Sequence, residues 1–323
     1  MSPLTTRRPQ HGRGFSHEAL FYEGQGDFVT RVGAFLRDGA RGGEAALAVV
    51  SAEKIAMLRE ELGPDARVVR FADMAEVGAN PSRIIPAWRR FLDEHLGDDA
   101  PVRGVGEPIW AARPADELGE SERHEALLNV AFAGTAPWRL LCPYDTTSLP
   151  TTVLDVARRN HPMLDHGGGP STSERYPGVE ALAGGALAED PADPLPPPPP
   201  GHDITRFDLR RLSEVRRVVA GRATDFGLGE RADDLVLAVL EMATNSVRHG
   251  GGSGTLAMWA TGDTFVCEVR DAGHITDPLV GRVPPTPDRP SGYGIWIAHQ
   301  LCDLVQIRTG PAGSVVRIHV RRR

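Results

Sequence analysis

The chain has 323 residues, of which 41% are apolar and 24% charged, the composition of a globular protein long enough for two separate cores. A net charge of -7 and a pI near 5.9 exclude a general electrostatic attraction to nucleic acid or to an anionic bilayer. No apolar run reaches the roughly 18 residues that a membrane span needs, and the opening MSPLTTRRPQHGRG lacks the apolar core of a signal peptide. The expected location is the cytoplasm, with neither a membrane nor a nucleic acid as direct partner.

Residues 1–15 read as a disordered tail, and 16–164 as a first domain. Within it ALFY predicts a strand, GDFVTRVGAFLRDG a helix, AALAVV a strand and AEKIAMLREELG a helix. ARVVRF is the next strand, and PSRIIPAWRRFLDEHL a helix opened by Pro81. VRGVG, a helix through SERHEALLNVAF, the strand WRLLCPY and the helix PTTVLDVARRN complete the series. This alternation predicts an α/β domain with a largely parallel sheet, whose ligands sit at the carboxyl ends of the strands. Cys142, Cys267 and Cys302 are far apart and lack CxxC spacing, so buried thiols are expected rather than disulfides or a zinc site.

The loop after the first strand, YEGQGDF at 22–28, stands where a phosphate-binding loop belongs in such a fold. A P-loop needs Gly-rich backbone followed by Lys and Ser/Thr. Here Glu23 and Asp27 repel phosphate and no Lys follows. The strings SHEALFY, GEPIWAARPADEL, RHEALLNVAF and LLCPYD resemble the MEDS sensory domain of bacterial regulators, itself similar to a RecA/KaiC-type three-layer domain that has lost its P-loop. His17, Trp110, His124, Glu125, Tyr144 and Asp145, with Asn129 and His161, are the polar or aromatic candidates for one sensory pocket taking a small molecule. Each alone also fits a packed, hydrogen-bonded core position. The histidines have no HxxxH-like spacing, so a metal site is not expected.

Residues 165–203 are rich in Gly, Pro and acidic side chains and read as a linker. Their five prolines, 196–200, predict a polyproline II segment about 15 Å long at roughly 3.1 Å per residue.

In 204–323 the pattern changes. ITRFDL predicts a strand, SEVRRVVAGRATDF a helix capped by Ser213, GLG a break, and ERADDLVLAVLEMATNSVRHG a long helix. On that helix Val236, Val239, Leu240, Ala243 and Val247 form the apolar stripe, while Leu237, Glu241, Asn245 and Arg248 follow another face. TLAMWAT, TFVCEVRD, LVQIRT and SVVRIHV read as strands, GPAG turns between the last two, and GIWIAHQLCD is one more helix. Helices on one face of a mixed, mostly antiparallel sheet make an α/β sandwich.

Four motifs succeed one another in order: Glu241 and Asn245 on a helix, DAG at 271–273 on a strand end, GYG at 292–294 opening a helix, and GS at 313–314 before the last strand. This series resembles the GHKL (Bergerat-fold) ATPases, and within them the anti-sigma-factor serine kinases. The resemblance implies ATP and Mg2+ as cofactors. Asn245 then holds the magnesium, Asp271 accepts from the adenine amino group, and Gly273 lets the chain pass close to the base. Gly292 and Gly294 expose backbone N–H groups to phosphate, with His249 and Ser314 also at the nucleotide. Physical chemistry supports the roles separately: an amide carbonyl is a hard ligand, a carboxylate accepts from an exocyclic amine, and a Gly-flanked helix start binds anions.

In the kinase branch the glutamate at the position of Glu241 is the base for a substrate hydroxyl; pairing with Arg248 is the plainer alternative. The implied partners are a STAS-type anti-sigma antagonist and a sigma factor, and a homodimer is allowed. An ATP-loaded scaffold that sequesters a partner without phosphoryl transfer is the second reading. The family's DxGxG stands here as DAGHI, with His274 and Ile275 in its second half. Between Gly273 and Gly292 the short segment carries Pro278, Pro284, Pro285, Pro287 and Pro290, which predicts a stiff lid.

Overall fold

A computed structural model describes residues 14–95, 101–185, 188, 195–286 and 292–322. In chain order come β1 (Phe15–Tyr22), α1 (Gly24–Arg41), β2 (Ala45–Val50), α2 (Ala52–Leu62), β3 (Val69–Asp73), α3 (Met74–Val77) and α4 (Ile84–His95). They are followed by β4 (Val102–Gly106), α5 (Ala115–Ala131), β5 (Trp138–Asp145), α6 (Thr151–Asn160), β6 (Met163–Asp165), β7 (Pro170–Thr172) and α7 (Val179–Gly185). The remainder is β8 (Asp203–Asp208), α8 (Leu212–Phe226), α9 (Arg231–His249), β9 (Ser253–Thr261), β10 (Thr264–Asp271), α10 (Tyr293–Leu301), β11 (Leu304–Gly310) and β12 (Gly313–Arg321). Contacts divide the chain into two units: Met1–Asp73, Phe91–Trp110 and Phe132–Tyr176 form the first, and Met74–Arg90, Ala111–Ala131 and Pro177–Arg323 the second.

The first unit holds a seven-stranded sheet in the order β3-β2-β4-β5-β1-β6-β7. Its pairings are parallel except at the edge, where β7 runs antiparallel to β6. One face is sealed by α1 and α2, whose Phe28, Val32, Leu36, Leu58 and Leu62 pack on Leu20, Tyr22, Ala46, Ala48, Val50, Val105 and Leu141. Because strand side chains alternate, His17, Ala19 and Phe21 of β1 point to the other face. Ser51 starts α2 by accepting from the Lys54 N–H at 3.3 Å, an ordinary serine N-cap.

The second unit carries a five-stranded sheet, β11-β12-β10-β9-β8. The mixed sheet expected from sequence is corrected: all four ladders are antiparallel, and the parallel element among the described residues is a bridge from Ala188 to Thr309. One face buries Phe265, Cys267, Val269, Val305, Ile307, Val316, Ile318 and Val320 under α8, α9 and α10. The other face is also covered. There Arg317 bonds Glu268 at 2.6 Å and the Pro196 carbonyl at 2.6 Å, and α5 lays Asp116, Glu117 and Glu120 against Gln306, Arg321 and Arg308.

Three features of the structure fall across the boundaries read from sequence. Phe15 of the expected tail already opens β1, while residues 1–13 lie outside the described residues. The expected linker 165–203 contains β7 and α7 as well as the end of β6 and the start of β8. Residues 74–90 and 111–131, placed in the first domain by sequence, belong to the second unit. Ser213 is not the cap of α8: Asp208 accepts from the Arg210 and Arg211 N–H groups and starts a 3-10 turn that runs into it. All three cysteines are buried free thiols, as expected; burial pushes the Cys302 thiol up to about 12. Among the described residues no helix is long and apolar enough to cross a membrane.

Candidate active site

The carboxyl end of β10 meets the carboxyl end of α9 in the second unit. Asp271 closes β10, and its two oxygens are separately engaged: Oδ2 accepts from the Ser246 hydroxyl at 2.6 Å and Oδ1 from the Gly273 N–H at 2.8 Å. The Ala272 N–H donates to the Gly250 carbonyl at 3.1 Å, stitching strand to helix. The approach is close enough to require glycine on both sides. A Cβ on Gly250 would lie 2.4 Å from Asp271 Cγ, and one on Gly273 would lie 2.8 Å from the His249 carbonyl oxygen. Asp271 thus stands fixed at the strand end with lone pairs left for an exocyclic amine.

Glu241 and Asn245 lie one turn apart on α9, both half-buried. Glu241 packs against the start of α10, where a Cβ on Gly294 would sit 2.5 Å from Glu241 Oε2 and 2.9 Å from its Cβ. Gly292, at φ 84°, is the N-cap that turns the chain into α10. The first N–H groups of that helix have no intrahelical acceptor, and the Glu241 carboxylate lies against the helix start. Neither Glu241 nor Asn245 makes a side-chain hydrogen bond or ion pair among the described residues. The pairing of Glu241 with Arg248 is therefore not formed, and Arg248 and His249 are exposed.

Ser314 is 4% exposed; its hydroxyl donates to the Gly273 carbonyl at 3.0 Å and meets the Thr309 hydroxyl at 3.1 Å. Thr309 in turn accepts from the Ile275 N–H at 3.2 Å and reaches His274 Nδ1 at 3.0 Å. Where the family pattern has a second glycine, side-chain bonds from β11 hold this loop. Of the lid prolines, Pro278, Pro284 and Pro285 are described, and Pro287 and Pro290 lie outside the described residues. Sequence reasoning missed Ser246, Gly250 and Thr309, and gave no separate role to Gly313 of the GS pair. Gly313 is at φ 115°, and a Cβ there would stand 1.9 Å from the Asp271 carbonyl oxygen. The pair HG at 249–250 and the GS at 313–314 carried the available signal.

In the first unit, the loop after β1 puts Glu23 at the N-cap of α1 and Asp27 in its first turn. Asp27 Oδ2 accepts the Glu23 N–H at 3.0 Å, and Arg31 bonds the Phe21 carbonyl at 2.5 Å and Asp165 at 2.9 Å. The helix start is occupied by its own acids. Beside it Phe21, Glu23, Asp27, Arg31, Thr146, His166 and Gly167 line an open cavity of about 420 Å³. Residues 16–162 match the family described as MEthanogen/methylotroph, DcmR Sensory domain (MEDS), and 205–320 match the histidine kinase-like ATPase domain. The chain joins a MEDS sensory domain to a histidine kinase-like ATPase domain. Together they make a signalling regulator with a kinase-like ATPase output. No curated protein matches the chain.

The expected pocket residues of the sensory domain fall in both units. His17 and Tyr144 gather around His161, with ring centroids at 4.0 Å and 5.5 Å from it. Asp145 turns away: its carboxylate accepts from the Thr147 N–H and from the Thr147 and Ser148 hydroxyls at 2.6–3.0 Å. Those bonds hold its pKa below the usual carboxylate value despite partial burial. Trp110 is half-exposed at the end of the first unit's middle segment, whereas His124, Glu125 and Asn129 are buried on α5 in the second unit. A different polar group fills the strand ends. Glu107, whose pKa burial raises, accepts from Tyr22 at 2.7 Å and pairs with Lys54 at 2.5 Å.

Proposed function

We propose that the ATPase domain binds Mg-ATP and acts as a protein-serine kinase of the anti-sigma-factor type, phosphorylating a STAS-type antagonist and alternately holding a sigma factor, under control of the MEDS domain. The observation that carries this reading is Glu241: half-buried, without an ionic partner among the described residues, and packed on Gly294 at the start of α10. A carboxylate so placed, one turn before a hard oxygen ligand at Asn245, suits a base beside a transferring phosphoryl group. The close contacts at Gly250 and Gly273 hold the chain against Asp271 at the strand end. ATP supplies the phosphoryl group and magnesium neutralises its developing charge; Asp271 selects the base, Asn245 holds the metal, and the α10 start binds phosphate.

A specific observation favours the second reading, an ATP-loaded scaffold without transfer. His274 and Ile275 are tied to Thr309 where the family has a free glycine, which restrains the loop that flanks the nucleotide. Labelled ATP with the full-length protein and STAS-domain substrates separates the two. On the kinase reading Asn245→Ala loses magnesium-dependent ATP binding, whereas Glu241→Gln keeps ATP affinity and lowers phosphoryl transfer by at least about 100-fold. ATP binding with no transfer to any STAS substrate supports the scaffold. Unchanged affinity in Asn245→Ala refutes the metal role.

A further inference from the structure

We infer that the MEDS domain binds a zinc ion through His17, Cys142 and His161. The three residues come from separate segments of the first unit: β1, its parallel neighbour β5, and the residue that ends α6. His17 pairs in register with Leu140 and Cys142 with Ala19, so the two side chains are diagonal neighbours on the face of the sheet opposite α1 and α2. His161 comes up against them from the end of α6. Each of the three offers one donor atom, and these atoms lie within 4.8 Å of one another. His17 and His161 are 0% exposed and Cys142 is 1% exposed.

The His17–Cys142 distance fits the edge of a small tetrahedral ion. With Zn–S about 2.3 Å and Zn–N about 2.05 Å, the sulfur–nitrogen edge of a tetrahedron is about 3.6 Å; His17 Nε2 stands 3.3 Å from Cys142 Sγ. His161 carries the outer-sphere bond that metal-bound histidines use. Its Nδ1 lies 2.8 Å from the Ala157 carbonyl oxygen, which fixes the proton on Nδ1 and makes Nε2 the nitrogen that would ligate the metal. One thiolate and two imidazoles form a borderline-soft donor set suited to zinc and poor for magnesium or calcium. Binding forms the zinc–sulfur bond as the Cys142 thiol releases its proton to solvent, so affinity falls with decreasing pH. The lack of HxxxH spacing hid this group from sequence, because the ligands are 17, 142 and 161 in the chain and neighbours only across the sheet. The bland alternative is a core histidine hydrogen-bonded to a buried thiol.

Full-length, tag-free protein decides between them by elemental analysis and by Co2+ titration after chelator treatment. Zinc bound near one ion per chain and a cobalt–thiolate charge-transfer band with the intense d–d bands of a tetrahedral site are expected. The charge-transfer band is lost in Cys142→Ser and kept in Cys267→Ser. His161→Gln weakens Zn2+ affinity by more than the about 10- to 100-fold typical of a lost outer-sphere partner. The wild-type spectrum is sufficient if a variant fails to fold. Folded wild type that takes up neither ion, a band that persists in Cys142→Ser, or copper in place of zinc overturns the inference. None of these readouts depends on the nucleotide chemistry.

Discussion

Removing one carboxylate, Glu120, should destabilise the second unit more than any surface change. Glu120 is 1% exposed on α5. Its Oε2 accepts from Arg282 at 3.1 Å and its Oε1 from Arg308 at 2.7 Å, with Arg123 at 3.9 Å. Arg282 and Arg308 are themselves 2% and 3% exposed, so neither guanidinium has solvent to fall back on. Burial lowers the Arg282 pKa, and Glu120 opposes that shift. Glu120→Gln keeps the volume and removes the charge, leaving buried cations without their counter-ion, a loss of about 3–5 kcal/mol. For a body of 150–250 residues that is about 6–20 °C in melting temperature, at 2–4 °C per kcal/mol. Calorimetric unfolding of the full chain measures it, with the exposed Arg211–Glu214 pair as a control whose Glu214→Gln variant keeps the wild-type midpoint. A Glu120→Gln protein within about 0.5 kcal/mol of wild type would refute the burial argument.

Gly313→Ala, at φ 115° and with its Cβ 1.9 Å from the Asp271 carbonyl, should cost about 1–3 kcal/mol in backbone strain alone and weaken ATP binding; calorimetry of both quantities checks it, and an unaltered midpoint contradicts it. Stability should also fall in mild acid. Burial first, then Arg317 and Arg321, push the His319 pKa from 6.5 down to about 4 against the pull of Asp116. Between those values the unfolded chain holds a proton that the folded chain does not, so stability is full above 6.5 and declines as pH falls, by up to about 2 kcal/mol at about pH 5. Urea unfolding at pH 7 and pH 5 reads this slope, and His319→Gln should flatten it.

Much of the fold was legible because period and punctuation agree. AALAVV and TFVCEVRD coincide with β2 and β10 to the residue, each a short β-branched run bounded by turn residues. The long helix with Glu241 and Asn245 was equally plain, since its apolar stripe and its polar face are both periodic. What stayed hidden depends on partners distant in the chain. Gln306, Arg308, Arg317 and His319 alternate with core residues, a pattern that fits a solvated sheet face, yet α5 and Pro196 cover them. The positions that hold Asp271, namely Ser246, Gly250 and Gly313, are small residues whose role appears only when α9, β10 and β12 meet. Within 165–203 the Gly and Pro content masked β7 and α7, because three- and seven-residue elements carry too little periodicity to register.

The same packing bears on the proposed control of the ATPase domain. The start of α10 faces Glu241, and its far end is held by residues from the 74–90 segment. Asn80 donates to the His299 and Cys302 carbonyls at 3.2 and 3.3 Å, and Arg83 bonds the carbonyls of His299, Gln300 and Cys302 at 2.7–3.0 Å. These are the unpaired acceptors that every helix end leaves, and a guanidinium there also complements the helix dipole. Just before α10, Gly281 is pressed on Ile295 and His299, where a Cβ would meet them at 2.3 and 3.0 Å, and its neighbour Arg282 is the cation that Glu120 holds. Segments inside the MEDS-matched stretch therefore grip both the carboxyl end of α10 and Arg282 in the segment that precedes it. On the proposed function, a nucleotide that favoured one position of α10 would change these contacts, and by linkage the contacts would change nucleotide affinity by the same factor. A fragment that begins at residue 201 lacks Asn80, Arg83 and Glu120 together, so it strips packed groups from the ATPase domain as well as removing the sensor. Cutting at the prolines consequently measures lost packing and lost regulation at once, whereas the single changes Asn80→Ala and Arg83→Ala in the full chain separate the grip on α10 from the fold of the sheet.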